Sequence, residues 1–163
     1  MVNIALVGCN GKMGKAVTSA VQSRNDCEIV FGADPFGTPA YDYPVFESLA
    51  VSDKKADVII DFSNPASLDD ILAYALEKKI PCVLCTTGYS PEQVEKIKKA
   101  SESVAVFYSG NMSLGINLLI ELSKEAAKIL GAADFDIEIV EKHHNQKIDA
   151  PSGTALMIAD GYF

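Results

Sequence analysis

Short, almost wholly apolar runs alternate with amphipathic stretches along most of the chain, and that alternation predicts its secondary structure. Residues 3–7 (Asn-Ile-Ala-Leu-Val) have the character of a buried strand, and a helical period follows over about residues 12–23. Residues 28–33 form a second strand, and residues 34–43, rich in Pro, Gly and Tyr, read as a loop. Further strands are expected at 57–61, 81–85 and 103–108, with a helix over 65–77 after the third. Ser90-Pro91-Glu92-Gln93 has the form of a helix start: a serine N-cap, proline at the first helical position and glutamine three after the cap. A long helix should run from about residue 113 to 130 and stop at Gly131. Residues 135–142 then alternate apolar and acidic side chains, as a sixth strand with one solvated face would, and a last helix should open near Ser152.

Strands that are nearly all apolar, each followed by a helix, indicate an α/β protein with a parallel sheet covered on both faces. The first five fit a doubly wound, Rossmann-like nucleotide-binding domain. The sixth differs and reads as the opening of a second, α+β substrate domain that the chain barely continues. The expected division is residues 1–112 for dinucleotide binding and 113–163 for the truncated start of the second domain. A lone strand is not stable by itself. The sixth is therefore expected to be exposed or to pair with another chain, and a solution-size measurement showing a monomer with that strand ordered would contradict this.

The composition agrees. Across 163 residues, 48% are hydrophobic and 22% charged, the balance of a soluble globular protein. The net charge of -8 argues against nucleic acid and anionic membranes as partners, so an acidic ligand must be captured by local basic groups. No apolar run approaches the roughly 20 residues a bilayer span needs. The first residues read as a strand and lack the basic start and cleavage site of a signal peptide, so a cytoplasmic location is expected. The four cysteines are then expected to be reduced.

The turn after the first strand carries candidate chemistry. Gly8-Cys9-Asn10-Gly11-Lys12-Met13-Gly14 departs from G-x-G-x-x-G but meets the same needs: a tight turn, bare backbone for a pyrophosphate, and close helix–strand packing. The following helix N-terminus offers free N–H groups and a positive dipole end. Asp34 lies 20 residues beyond Gly14, at the end of the second strand, where a carboxylate binds the adenine ribose hydroxyls. It would repel a 2′-phosphate, and Pro35-Phe36 supplies no arginine to hold one, so NADH is expected to serve at least as well as NADPH. Lys12 keeps dual use open.

Three more strand ends offer small, hydroxyl or amide residues: Asp61-Phe62-Ser63-Asn64-Pro65, Cys85-Thr86-Thr87-Gly88 and Ser109-Gly110-Asn111-Met112. Each suits the nicotinamide side of a cofactor and equally suits ordinary turn chemistry. Cys82 and Cys85 invite a redox or zinc reading. On a strand, however, positions three apart face opposite ways and no further ligands are obvious, so they read as structural cysteines and no metal is expected.

The segment from Glu141 to Ala155 holds both histidines, Lys147 and a Pro-Ser-Gly-Thr turn. Ser152 is a natural N-cap, and the N–H groups of Gly153 and Thr154 suit a carboxylate. Histidine is the side chain best placed to exchange a proton near neutral pH.

His-His-x-x-Lys-x-Asp-Ala-Pro-Ser-Gly-Thr-Ala resembles the signature of the 4-hydroxy-tetrahydrodipicolinate (dihydrodipicolinate) reductase family of lysine and diaminopimelate biosynthesis. The turn Gly-x-x-Gly-Lys-Met-Gly, the Thr-Thr-Gly loop and Asn-Met-Ser-Leu-Gly-Ile-Asn resemble that family too, in the expected order. The resemblance implies reduction of 4-hydroxy-tetrahydrodipicolinate, a small dicarboxylate, to tetrahydrodipicolinate with loss of water and hydride supplied by NAD(P)H. It implies that Gly8, Cys9, Asn10, Gly11, Lys12, Met13 and Asp34 hold the nucleotide, and that Cys85, Thr86, Thr87, Ser109, Gly110, Asn111 and Met112 line the nicotinamide side. The family usually has glycine where this chain has Cys85. His143 matches the proton donor and acceptor, Lys147 the second catalytic residue, and His144, Ser152, Gly153 and Thr154 the substrate-binding positions. Family members are longer, so the resemblance implies a shortened relative or a piece of a longer chain, forming a homo-oligomer at full length. A nucleotide-binding module without catalysis remains the alternative. A different two-domain dehydrogenase does not explain residues 149–155.

Overall fold

The structure, a computed structural model, describes residues 1–36, 41–145, 147 and 150–162. Residues 37–40 of the predicted loop and Asp149 of the signature lie outside the described residues. The chain divides into two compact units, Met1–Ser109 and Gly110–Phe163.

The first unit is built on a six-stranded sheet: β1 (Val2–Val7), β2 (Cys27–Ala33), β3 (Val45–Phe46), β4 (Val58–Asp61), β5 (Cys82–Leu84) and β6 (Val106–Tyr108). Every pairing is parallel and the order is β3-β2-β1-β4-β5-β6, that of a doubly wound dinucleotide-binding sheet. The order reverses between β1 and β4, so the crevice at the carboxyl ends of these two strands is where a ligand is expected.

Alternation within the central strands splits the core into two layers. Ala5, Phe31, Ile59 and Leu84 turn to the face covered by α2 (Leu68–Lys78) and α3 (Pro91–Ser101), where Leu68, Ile71, Ala75, Ile97 and Ala100 meet them. Leu6 turns the other way, toward Cys9, Tyr43 and Val17 of α1 (Lys12–Gln22). Coverage of the second face falls off across the sheet: Val83 is half-buried and Phe107 is 56% exposed. The fifth apolar run of the sequence is thus an edge strand, paired among the described residues only with β5.

The capping box forms as expected: the Gln93 N–H donates to Ser90 Oγ at 3.3 Å and the Ser90 N–H to Gln93 Oε1 at 3.0 Å. The helix after β4 begins as a single 3-10 turn over Pro65–Ser67, with the Asn64 side chain accepting from the Ala66 N–H, before α2 proper. Strand β3 was not expected; two residues are too few to show a period.

The second unit contains α4 (Leu114–Gly131) and α5 (Gly153–Tyr162), packed against each other. Helix α4 ends at Gly131, as expected, but Gly131 itself stays helical and is not the left-handed residue. The chain reverses at Asp134, whose φ of 64° is left-handed, and the Phe135 N–H closes back on the Leu130 carbonyl at 3.1 Å. The predicted sixth strand is not formed. Residues 135–142 carry no ladder hydrogen bonds among the described residues and are exposed, because a strand exists only against a partner strand and this unit supplies none. Ile139 and Glu141 nevertheless share one side and line a groove with Ala155 and Leu156 of α5, as the alternation requires.

Phe31 is fully buried between β1 and α2 neighbours. Phe31→Ala should lower the unfolding free energy by about 3–5 kcal/mol in urea titration, against less than about 0.5 kcal/mol for truncation of an exposed residue such as Glu77.

Candidate functional site

Backbone contact fixes the glycine turn. Gly8 has φ of 75°, and a Cβ there would lie 2.6 Å from the carbonyl oxygen of Phe62, the first residue beyond β4. A Cβ on Gly14 would lie 2.6 Å from the Cys9 Cα. The first glycine therefore lets the chain turn against the β4 loop, and the third lets α1 press onto the turn. Gly11 is the N-cap of α1 and no side chain caps it, whereas Ser90 and Ser113 cap α3 and α4. The first N–H groups of α1 are open at a positive dipole end, with no acidic residue in the first turn.

Asp34 follows β2, and its carboxylate closes on the turn. Oδ2 accepts from the Asn10 N–H at 3.0 Å and Oδ1 from the Phe36 N–H at 2.9 Å, while Asn10 Nδ2 donates to the Phe36 carbonyl. A cavity of about 560 Å³ opens here, with Gly8, Asn10, Gly11 and Asp34 on one side and Ser63 and Asn64 on the other. Its wall also includes Glu47 and Asp70, and among the described residues no lysine or arginine lines it. These residues fit a dinucleotide: bare backbone and open N–H groups for phosphate, and an anchored carboxylate for ribose hydroxyls.

The other predicted cofactor residues fall differently. The Cys9 side chain is buried under Gly32, so only its backbone faces the turn; burial, with the Asp34 charge, pushes its thiol up to about 11. Lys12 and the half-exposed Met13 lie in the first turn of α1, outside the cavity wall. Thr86 is buried after β5, with Thr87 exposed beside it. Burial also pushes the Cys82 and Cys85 thiols up to about 11, with Asp61 adding to the effect, so both are neutral and inert at neutral pH. The Ser109 N–H extends the β5–β6 ladder onto the Leu84 carbonyl.

In the second unit, Asn111 Nδ2 donates to Thr154 Oγ1 at 2.9 Å, joining a residue expected on the nicotinamide side to one expected at the substrate. Gly110 and Met112 flank it and are exposed. Ser152 is the N-cap of α5: Oγ accepts from the Ala155 N–H at 3.1 Å. The helix geometry leaves the N–H groups of Gly153 and Thr154 without an intrahelical acceptor. Glu141, which the sequence reading left without a role, receives Ser152 twice, from its N–H at 2.8 Å and from its hydroxyl at 2.5 Å. Those two bonds close the loop that carries His143, His144 and Lys147. The hydroxyl bond, then the N–H bond, then the charges of His143 and Lys147 hold the Glu141 carboxyl below the usual glutamate range. His143 Nδ1 lies 3.7 Å from Glu141 Oε2, and the Lys147 N–H donates to the His144 carbonyl at 3.2 Å. The signal for Glu141 in the sequence was its position at the end of the apolar–acidic alternation, on the same side as Ile139.

Comparison with known proteins places the chain. Residues 2–112 match the family model "Dihydrodipicolinate reductase, N-terminus" and residues 115–162 the model "Dihydrodipicolinate reductase, C-terminus". The 4-hydroxy-tetrahydrodipicolinate reductase of Clostridium tetani is 53% identical over 160 residues, 98% of this chain and 62% of that protein. That of Clostridium novyi is 48% identical over 98% of this chain and 63% of that protein. The chain thus spans about three fifths of the length of these relatives. A solved structure, dipicolinate-bound dihydrodipicolinate reductase from Paenisporosarcina sp. TG-14, superposes with a TM-score of 0.73 at 30% identity, covering 99% of this chain and 65% of that one. Glycine turn, sheet order, His-His segment and both family models agree: the chain belongs to the dihydrodipicolinate reductase family.

Proposed function

We propose that this chain carries the nucleotide-binding domain and the catalytic segment of a 4-hydroxy-tetrahydrodipicolinate reductase, with NADH at least as effective as NADPH. The observation that carries the reading is the uncapped start of α1 beside an Asp34 carboxylate held by two N–H groups. In this reading residues 1–112 bind the dinucleotide, and residues 113–163 begin the substrate domain. Gly8 to Met13 and Asp34 hold the adenosine and phosphate half. Cys85, Thr86, Thr87 and Ser109 to Met112 serve the nicotinamide half. The carboxylates of Asp34, Glu47 and Asp70 around the cavity disfavour a 2′-phosphate.

The cofactor, when bound, supplies a hydride; the reaction also consumes one proton and releases one water. His143, an exposed imidazole, exchanges that proton, and Lys147 is the second catalytic group. The open N–H groups of Gly153 and Thr154, with His144, bind a substrate carboxylate at the positive end of α5, while Ser152, its N–H and hydroxyl both given to Glu141, holds that turn in place. A dicarboxylate class is supported by the dipicolinate bound to the Paenisporosarcina relative.

The direct test mixes the protein with freshly made 4-hydroxy-tetrahydrodipicolinate and NADH or NADPH and follows loss of reduced-nicotinamide absorbance. Turnover should occur with NADH at least as well as with NADPH and fall by at least about 10²-fold in His143→Ala or Lys147→Ala. Tight NADH binding without turnover would instead identify a nucleotide-binding module, and a large preference for NADPH would overturn the cofactor assignment.

A second test addresses the carboxylate end of the segment. Because Glu141 is held below its ordinary value of 4.5, its tether to Ser152 is fully present above that value and is lost as pH falls through the lowered one. The Ser152 amide resonance should therefore titrate with a midpoint below 4.5 and stay flat over that range in Glu141→Gln. A midpoint above 4.5 would show that the tether does not form.

A further inference from the structure

Asp61 ends β4 at the switch point and is fully buried, yet no catalytic or binding role above uses it. Among the described residues it forms no ion pair. Its charge is satisfied by three donors instead. Oδ1 accepts from the Ser63 N–H at 2.9 Å and the Ser63 hydroxyl at 2.5 Å; Oδ2 accepts from the Tyr89 hydroxyl at 3.1 Å. Its carbonyl accepts from the Cys85 N–H at 2.9 Å. A buried carboxylate of this kind is costly unless every donor stays in place, so it holds those donors in position.

The donors come from different loops. Ser63 belongs to the loop after β4 and lines the cavity opposite Gly8. Tyr89 follows the Thr86-Thr87-Gly88 loop after β5, and its ring meets Tyr108 of β6 at 5.5 Å. Asp61 is also in register with Val7, the last residue of β1, and the next residue, Phe62, abuts Gly8. The Asp61 carboxylate therefore joins the loops after β4 and β5, and its backbone sits against the end of β1. Burial and the Asp61 charge push the Tyr89 hydroxyl well above its ordinary range, so it remains a donor at any working pH.

We propose that Asp61 and Tyr89 are positioning residues for the dinucleotide: they set the spacing between the cavity that takes its adenosine half and the Thr86-Thr87-Gly88 loop that takes its nicotinamide half, without touching either. The inference rests on the cofactor reading above. It predicts an effect that depends on which half of the ligand is present.

Tyr89→Phe removes one hydroxyl and keeps the ring against Tyr108. Titrated with NADH and with 5′-AMP, which lacks the nicotinamide half, this variant should bind NADH about three- to tenfold more weakly, the scale of one hydrogen bond, and 5′-AMP as the unmodified chain does. Asp61→Asn, which also loosens Ser63 at the cavity wall, should weaken both ligands. If Asp61→Asn does not fold, Tyr89→Phe decides alone. Unchanged NADH binding by Tyr89→Phe, or equal weakening of both ligands as a general structural defect would give, overturns the proposal. If the unmodified chain binds no nicotinamide dinucleotide, the cofactor reading fails and this inference with it; if it binds NADH and Tyr89→Phe binds it equally, only the inference fails.

Discussion

Backbone-to-backbone approach at the first turn governs the nucleotide half of this chain. Gly14 presses α1 onto the turn that Gly8 begins, and Gly8 in turn rests against the Phe62 carbonyl of the neighbouring strand's loop. Neither contact leaves space for a Cβ, so the geometry exists only with glycine at both positions. Two consequences follow. Helix α1 starts a short turn after β1 on Gly11, an N-cap that carries no capping side chain, which leaves its first N–H groups for a ligand. The loops after β1 and β4 are also held at contact distance across the point where the strand order reverses, and the cavity lies between them.

What the sequence made legible was whatever repeats or lies close along the chain. Burial of β1 and β4 on both faces showed as unbroken apolar runs, and the helix start at Ser90 showed as a local four-residue pattern that the structure forms in full. Asp34 was legible because its place depends only on the end of β2. Strand β3, with two residues, has no period to read. The end of α4 was legible at Gly131, but the left-handed residue that reverses the chain is Asp134, at a modest steric cost that its short polar side chain tolerates. Residues 135–142 have a strand's alternation without a strand, since alternation reports which side is solvated and pairing depends on a partner.

The site was legible in the same uneven way. The loop containing Asp61 and Ser63 was recognisable by its residue types, but the bond from Tyr89 to Asp61 joins positions 28 apart and depends on the β4–β5 register. Glu141 and Ser152 are 11 apart and meet only because the histidine loop closes on itself. Such contacts follow from topology, and no spacing rule along one chain displays them.

The electrostatics of the cavity tie these features together. A chain of net charge -8, with Asp34, Glu47 and Asp70 around the cavity, is a poor long-range attractor for an anionic dinucleotide. At physiological ionic strength, however, charges more than about 8 Å apart are largely screened, while open N–H groups act at contact. In the proposed reading, binding is governed by the donors at the start of α1, which would meet the pyrophosphate directly, and the acidic groups are felt only by whatever lies beside them. Asp34 is itself tied down by the Asn10 and Phe36 N–H groups, so it cannot swing away from an added negative charge. In the proposed reading, the arrangement that admits two phosphates at the helix start would penalise a third at the ribose, by position and not by overall charge.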